Sequence, residues 1–221
     1  MSVFSEDKNI YPSVVSEPSI YKTPTIYDTG AGGGGGEYVE ILGFYYKVLN
    51  INGKKWLDAN LKYTRSAWAS TGQSTGNSIV NQLAVRSHSN MVIDCPFVGN
   101  YYNLVAFRNL LNNELHDTEW HVPSISEFED LISGVGDVKK LMRQEWWASP
   151  GNNELGFNLC ASGYQDGNSL NGISSTSYIW LSDNDGTNFK YTSIYGNLPY
   201  YTIQNAIFGS HDKGYNIRLC K

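Results

Sequence analysis

Few residues in this 221-residue chain are charged, and their balance excludes one class of partner. Charged side chains make up 17% of the sequence, below the roughly 25% of an ordinary soluble domain. Sixteen basic residues against 21 acidic ones give a net charge of −5. Binding the phosphates of a nucleic acid requires a basic stripe, which the sequence lacks, so we expect no nucleic-acid partner.

The sequence also lacks long apolar runs, and it has only three cysteines, Cys95, Cys160 and Cys220. A membrane-spanning helix needs about 20 consecutive apolar residues, so we expect no membrane span. The polar, acidic stretch that follows Met1 does not have the basic start and apolar core of a secretory signal. An odd number of widely spaced cysteines favours reduced thiols in a protein that is made in a cytoplasm.

Small and amphipathic polar residues are abundant instead. The chain contains 22 Gly, 22 Asn, 23 Ser and 16 Tyr. Gly, Asn and Ser are poor residues for the interior of a helix, whereas a hydrophobic content of 41% is enough for a core. The composition therefore indicates a loop-rich domain that contains β-structure.

The first 29 residues differ from the rest of the chain. Three prolines bias them to extended backbone, and the dipeptide Ile-Tyr occurs twice, as Ile20-Tyr21 and Ile26-Tyr27. Two interpretations stay open: a disordered tail, or an extended anchor whose Ile and Tyr side chains pack into grooves of a partner. Residues 30–36 include five consecutive glycines, which predict a flexible hinge before a domain at 37–221.

Local patterns predict strands on either side of two or three short helices. A hairpin over 45–57 turns at Asn52-Gly53, the preferred pair for a type I′ turn. One helix is expected over 102–111. A second is expected to begin at a capping box at Ser124 and to end at the glycines at 134 and 136. A third is expected over 137–145. Strands are expected at 178–182, at 202–208 and, with one face buried, at 215–220. This order of elements predicts an α+β fold.

No motif predicts catalysis or a metal centre. Ser210 and Lys213 match S-x-x-K by chance, because the companion motifs of penicillin-binding enzymes are missing. His116 and His121 do not have the spacing of zinc ligands. The acidic segment 183–186 lacks the final Glu of a calcium loop and is interpreted as a turn. We expect no enzyme activity, no cofactor and no metal.

The region between residues 164 and 201 is rich in Tyr, Asn, Gly and Ser, a mixture that antibody combining sites use. Two interpretations stay open: tyrosines that cover the sheet beneath a long loop, or loops that present a ligand-binding surface. In the second, rings stack on sugar faces while hydroxyl and amide groups bind sugar hydroxyls. The candidate ligand-binding residues are Tyr164, Tyr191, Tyr195, Asn197, Tyr200 and Tyr201.

Several short motifs occur in an order that is familiar from one protein family. They include GKKWLDANL at 53–61, WHVPS at 120–124, YIWLS at 178–182 and GYNIRL at 214–219. Together they resemble the Fibrobacter succinogenes major paralogous domain, which is related to C-type-lectin-like folds, over residues 45–221.

The resemblance implies a C-type-lectin-like domain in which the N- and C-terminal strands pair, two helices pack on one side and long loops cluster in the second half. Members often carry a cysteine just before the motif that contains Trp120, where this chain has Thr118 and Glu119. A secreted, disulfide-bearing form is therefore not expected. The resemblance also implies core positions for Trp56, Trp120, Phe128, Phe157 and Trp180, and a capping or bridging role for Asn60.

The N-terminal arm, residues 1–29, and the family resemblance together lead to a functional hypothesis. We expect a non-enzymatic virion structural protein of a tailed phage, a head fibre or capsid decoration, assembled in the host cytoplasm. Residues 1–29 would contact capsid or other virion proteins, and the domain at 37–221 would bind a host glycan or surface protein. The alternating segment 38–42 would form the neck of a dimer or trimer. The alternatives are a tail fibre or tip adhesin, and a bacterial cell-surface or enzyme-related protein.

Overall fold

The computed structural model of the protein describes residues 36–63, 85–86, 92–93, 97–166, 169–186, 188–196, 200–205 and 213–221. The predicted anchor at 1–29, most of the hinge, Ser210 and Asn197 lie outside these residues. The described part is a mixed α+β structure made mostly of strands, as the order of sequence patterns predicts.

The first sheet is an antiparallel meander of three strands, β1 (Tyr38–Ile41), β2 (Phe44–Ile51) and β3 (Lys54–Leu57). The β2–β3 turn is at Asn52 and Gly53, whose φ angles of 53° and 79° are both positive, as a type I′ turn requires. The predicted hairpin is therefore confirmed. A separate two-stranded pair, β4 (Val85–Arg86) and β5 (Val92–Ile93), follows along the chain.

Two helices follow, and their starts are set by side-chain caps. Helix α1 (Leu104–Asn113) begins after Asn103, whose side chain accepts a hydrogen bond from the Ala106 amide at 2.9 Å. Helix α2 (Ile125–Val135) begins with the predicted capping box of Ser124 and Glu127 and ends at Gly136, with a φ of 71°. Both helix predictions are confirmed to within two residues or so at their ends.

The third predicted helix, at 137–145, is wrong. Only a single 3-10 turn, Val138–Lys140, forms there. Met142 bridges Leu159, and the Arg143 amide donates to the Leu159 carbonyl at 2.9 Å. These long-range backbone bonds draw the chain out of the helix after one turn.

The second sheet occupies the region where loops were expected. Its strands are β6 (Ser162–Asp166), β7 (Ser169–Ile173), β8 (Thr176–Asn184), β9 (Phe189–Tyr195), β10 (Tyr200–Asn205) and β11 (Lys213–Gly214). They are ordered β10-β9-β8-β6-β11, with β7 beside β6. The expectation of long loops is wrong for these strands, whereas the strand predicted at 178–182 is confirmed within β8. The strand predicted at 202–208 overlaps β10, which starts two residues earlier.

The C-terminal segment, residues 215–220, departs from the predicted half-buried strand because it is buried on both sides. On one side the Leu57 and Leu61 amides donate to the carbonyls of Leu219 and Ile217, at 3.1 and 2.8 Å. On the other side the Trp180 amide donates to the Asn216 carbonyl at 2.9 Å. The segment therefore lies between the first and second sheets, and it pairs with β3, whereas β1 pairs with β2.

The core positions implied by the resemblance are confirmed, since all five aromatic residues are buried. Trp180 stacks on Phe107 of α1, with ring centroids 4.7 Å apart. Trp56 meets Phe157 edge-on at 5.8 Å. Truncating a buried ring of this kind costs about 3–5 kcal/mol. Neither helix of the described residues is long and apolar enough to span a bilayer.

Candidate functional site

A buried arginine joins the C-terminal segment to two other parts of the fold, the stretch 57–60 and Phe157. Arg218 is 1% exposed. Its Nε donates to Asn60 Oδ1 at 2.9 Å, and its Nη1 donates to the carbonyls of Leu57 and Phe157 at 2.9 and 2.7 Å. The guanidinium also lies over the Phe157 ring, 4.4 Å from its centroid. Because its hydrogen bonds go to the protein itself, this positive charge serves the fold rather than a ligand.

Asparagine side chains bind main-chain groups in the same way. Asn216 accepts from the Ser162 hydroxyl at 2.5 Å and donates to the carbonyls of Val98 and Asn100, each at 3.0 Å. Asn60, expected to cap or bridge, bridges to the Val98 carbonyl at 2.9 Å. These amides provide hydrogen-bond partners for irregular backbone that has no strand neighbour there.

One face of the second sheet carries a dense group of tyrosines and polar residues. We call it the tyrosine face and define it as Tyr164, Tyr178, Tyr191, Ser193, Tyr195, Thr202 and Gln204. The strand register places Ser193 between Tyr178 and Thr202, and Tyr191 beside Gln204. Because side chains alternate along a strand, residues at every second position share this face.

The tyrosine rings pack on one another and on the buried Tyr215. Tyr191 and Tyr178 stack on Tyr215, with centroids 4.4 and 5.5 Å away, and Tyr164 meets Tyr178 edge-on at 4.9 Å. The Lys213 ammonium lies 5.3 Å from the centroid of the Tyr164 ring. Tyr164, Tyr178, Tyr191 and Tyr195 are all half-buried. The rings are thus held rigidly while part of each stays accessible.

Hydroxyl and amide groups connect these rings across the strands. The Tyr191 hydroxyl donates to Gln204 Oε1 at 2.5 Å, and Gln204 Nε2 donates to Thr202 Oγ1 at 3.0 Å. The Ser193 and Thr202 hydroxyls are 2.7 Å apart. Burial raises the pKa of Tyr191 and that of Tyr178, so both hydroxyls keep their protons at neutral pH. The tyrosine face therefore offers neutral donors and acceptors beside aromatic rings.

The structure unites only part of the predicted ligand-binding set. Tyr164, Tyr191 and Tyr195 belong to the tyrosine face. Tyr201 lies on the opposite face of the sheet, where its ring meets Phe128 of α2 edge-on at 5.8 Å, so the six residues do not form one surface. Tyr200 is opposite Tyr195 in the β9–β10 register. Sequence reasoning missed Tyr178, Ser193, Thr202 and Gln204, although the two-residue period of β9 at 191, 193 and 195 indicates a shared face.

The acidic segment at 183–186 uses its carboxylates within the fold. Asp183 Oδ2 accepts from the Ile125 amide at 2.6 Å, at the start of α2. Asp185 Oδ1 accepts from the Asn188 amide at 2.7 Å. A surface pocket of about 310 Å³ lies beside this segment, lined by Arg108, Asn112, Asn184, Gly186 and Phe189.

A second group of reactive side chains gathers at the end of the C-terminal segment. His121 Nε2 lies 2.9 Å from Glu127 Oε1 and 3.5 Å from Cys220 Sγ. The Lys54 ammonium also forms an ion pair with Glu127 Oε1. We call His121, Glu127 and Cys220 the Cys–His–Glu cluster. No sequence spacing suggested it, because Cys220 is 99 residues from His121.

The geometry of the Cys–His–Glu cluster does not activate its thiol. Burial raises the pKa of Cys220 to about 12, and the nearby Glu127 charge adds to this effect. In a catalytic triad the acid and the nucleophile bind different imidazole nitrogens, whereas here both contacts involve Nε2. The thiolate is the nucleophilic form of cysteine, so this arrangement gives no nucleophile at neutral pH. Cys160, also a buried free thiol, belongs to a different core cluster.

The fold is thus a mixed α+β domain that carries an aromatic and polar sheet face. The model of the Fibrobacter succinogenes major domain matches residues 49–221, and the chain belongs to this family. No curated protein and no solved structure gives a significant match.

Proposed function

We propose that the protein is a non-enzymatic attachment protein whose family domain binds a host glycan or surface protein through the tyrosine face. The observation that carries this proposal is the combination of half-buried rings with the hydroxyl and amide network of Tyr191, Thr202 and Gln204. Sugars present apolar C–H faces and neutral hydroxyls, and such a surface complements both. Because the rings already pack on one another, little side-chain entropy is lost on binding.

The N-terminal arm gives the proposal its second part. Residues 1–29, with their Ile-Tyr pairs and prolines, would attach the domain to capsid or other virion proteins. The glycine run would let the domain reorient. We place the protein on a phage virion as a head fibre or capsid decoration. Weak individual sites, carried in many copies on one particle, would hold a host surface by avidity.

We further propose that a second copy of the chain covers the solvent face of β1 and β2. Tyr38 and Tyr45 are 59% and 62% exposed, the largest exposures among the described large hydrophobic residues. Among the described strands β1 is the edge of its sheet, and the edge of a sheet can template pairing with another strand. The proposed neck is the segment 38–42, which includes β1. A Tyr38→Lys/Tyr45→Lys variant should shift a dimer or trimer to monomer in light scattering.

The binding proposal is tested with variants on the two faces of one sheet. Tyr195→Ala and Gln204→Ala should weaken binding to host cells, or to the glycans selected on an array, by about tenfold or more, since each removes part of the surface. Tyr201→Ala is the matched control, because it removes the same side chain from the opposite face. It should lower the melting temperature while binding persists. Unchanged binding by folded Tyr195→Ala and Gln204→Ala proteins would contradict the proposal.

The virion placement has its own test. Deleting residues 1–30 should leave a folded domain that no longer joins the particle. Incorporation of the truncated protein at normal occupancy would contradict the role of the arm without affecting the tyrosine face.

A further inference from the structure

We propose that the Cys–His–Glu cluster is a binding site for one divalent metal ion of the zinc class. Its three side chains provide a sulfur, an imidazole nitrogen and a carboxylate oxygen, and these atoms all lie within 4.8 Å of one another. Zinc prefers this set of donors. The inference does not depend on the proposed attachment function.

The backbone holds two of the donors opposite each other. His121 and Cys220 form an antiparallel bridge in which each amide donates to the other's carbonyl at 2.9 Å. Cross-strand neighbours of this kind have their side chains close together. The imidazole and the thiol are therefore juxtaposed by the fold rather than by a chance rotamer.

The capping box orients the third donor. Glu127 is the N3 residue of α2, and its Oε2 accepts from the Ser124 amide at 2.8 Å and from the Ser124 hydroxyl at 3.1 Å. With Oε2 bound in this way, Oε1 is directed at His121. Hydrogen bonds from the protein to the oxygen that does not bind the metal fix a carboxylate ligand in place.

The two separations from His121 Nε2 suit a tetrahedral ion after a small adjustment, and the Cys220 and Glu127 donor atoms lie within 4.8 Å of each other. Zinc bonds of about 2.0–2.3 Å at tetrahedral angles place nitrogen and sulfur ligands about 3.6 Å apart, and nitrogen and oxygen ligands about 3.3 Å apart. The observed separations are 3.5 Å for His121 Nε2 to Cys220 Sγ and 2.9 Å for His121 Nε2 to Glu127 Oε1. Widening the second contact by a few tenths of an ångström is within reach of the half-exposed His121 ring.

Access and charge define how the ion would enter. The His121 side chain is 48% exposed, whereas Cys220 is buried, so the imidazole forms the outer wall of the site. Lys54 now supplies the positive charge at Glu127 Oε1. On binding, the ion takes this place, the Lys54 ammonium turns to solvent, and the Cys220 thiol releases its proton to water as the Sγ–metal bond forms. A water molecule completes four ligands.

The test is a titration of the reduced full-length protein with zinc, followed by competition with a chromophoric chelator. One equivalent should bind, and Cys220→Ser and His121→Gln should each weaken the affinity by at least about tenfold, since even the loss of a residue that only hydrogen-bonds to a ligand costs about that much. Cys160→Ser and His116→Gln are matched controls that should leave it unchanged. Cobalt should give a thiolate-to-metal charge-transfer band that is present in Cys95→Ser and Cys160→Ser and absent in Cys220→Ser.

Lys54→Met separates a metal site from a merely structural cluster. Removing the Lys54 ammonium, which competes with zinc for Glu127, should tighten zinc binding by about two- to fivefold, a factor that corresponds to the free energy of a partly exposed ion pair. If the cluster were merely structural, losing the Lys54–Glu127 ion pair would not strengthen zinc binding. Circular dichroism establishes that each variant is folded, and if Cys220→Ser does not fold, His121→Gln and the cobalt spectrum decide. No stoichiometric binding, unchanged affinity in His121→Gln, weaker binding in Lys54→Met, or loss of the cobalt band in Cys95→Ser would each overturn the proposal.

Discussion

The C-terminal segment and the tyrosine face use similar polar residues in different ways. In the C-terminal segment, Asn216 and Arg218 are fully buried and bind backbone carbonyls. On the tyrosine face, Tyr191 and Gln204 are half-buried and bind each other. The first arrangement completes the hydrogen bonds of irregular main chain, whereas the second leaves regular strands to satisfy themselves and connects only side chains.

This difference separates residues that hold the fold from residues that are available for recognition. A buried side chain that serves backbone groups cannot be removed without leaving those groups unsatisfied, which costs their full desolvation free energy. A side-chain pair at a half-exposed surface can be lost and replaced by water. We therefore expect large effects on stability from the C-terminal segment and small ones from the tyrosine face.

Arg218→Met should give the largest loss of stability. The change leaves Asn60 Oδ1 and the Leu57 and Phe157 carbonyls without their buried donor, so the free energy of unfolding should fall by about 3–5 kcal/mol. Urea denaturation followed by tryptophan fluorescence measures this loss. Arg143→Met is the control, because Arg143 also lies over a ring, that of Phe97 at 4.7 Å, but is half-buried. A similar loss in both variants would contradict the comparison.

Asn216→Ala should follow, with a loss of about 2–3 kcal/mol, since the Val98 and Asn100 carbonyls and the Ser162 hydroxyl lose a buried partner. The same denaturation experiment applies. Asn184→Ala, at an exposed position, should change the stability by less than about 0.5 kcal/mol. Equal effects of the two substitutions would show that burial of the Asn216 amide has no special weight.

Tyr191→Phe should cost about 1–2 kcal/mol, because it removes the hydrogen bonds of the Tyr191 hydroxyl with Gln204 and Tyr215 and keeps the stacked ring. Host-surface or glycan binding should nevertheless weaken, as the hydroxyl belongs to the proposed surface. The paired measurement of melting temperature and binding sharpens the comparison. A loss of stability as large as that of Asn216→Ala would assign the tyrosine face to the fold instead.

Of these changes, protonation of Glu127 at acidic pH should have the smallest effect on the free energy of unfolding. Burial by itself raises the pKa of Glu127, but hydrogen bonds from Lys54, the Ser124 amide and His121 outweigh it and lower the pKa to about 2. The folded state therefore favours the ionised form of Glu127, and this contribution to stability is complete at pH values above 4.5, the ordinary pKa of the group. It is lost as the pH falls from about 4.5 towards 2. Solvent screening limits it to about 1 kcal/mol. Glu127→Gln should flatten this part of the stability–pH curve, and an unchanged curve would contradict the assignment.

The features that were predicted correctly are governed by neighbouring residues. Asn52-Gly53 determines its turn because few other residues adopt positive φ at both positions. Ser124 and Glu127 determine the start of α2 because a capping box needs only residues three apart. The order of the family motifs likewise identified the family and the buried aromatic residues, since the motifs supply side chains to the two main core clusters.

What tertiary structure alone decided depends on contacts between distant segments. The residues of 215–220 alternate as a half-buried strand would, yet neighbours on both sides bury them all. Tyr200 and Tyr201 are adjacent in sequence, but only the register of β10 against β9 directs Tyr201 to the core side of the sheet. The Cys–His–Glu cluster forms because His121 and Cys220 are bridge partners. Sequence specifies local backbone preference directly, whereas pairing between distant strands is selected by the packing of the whole core.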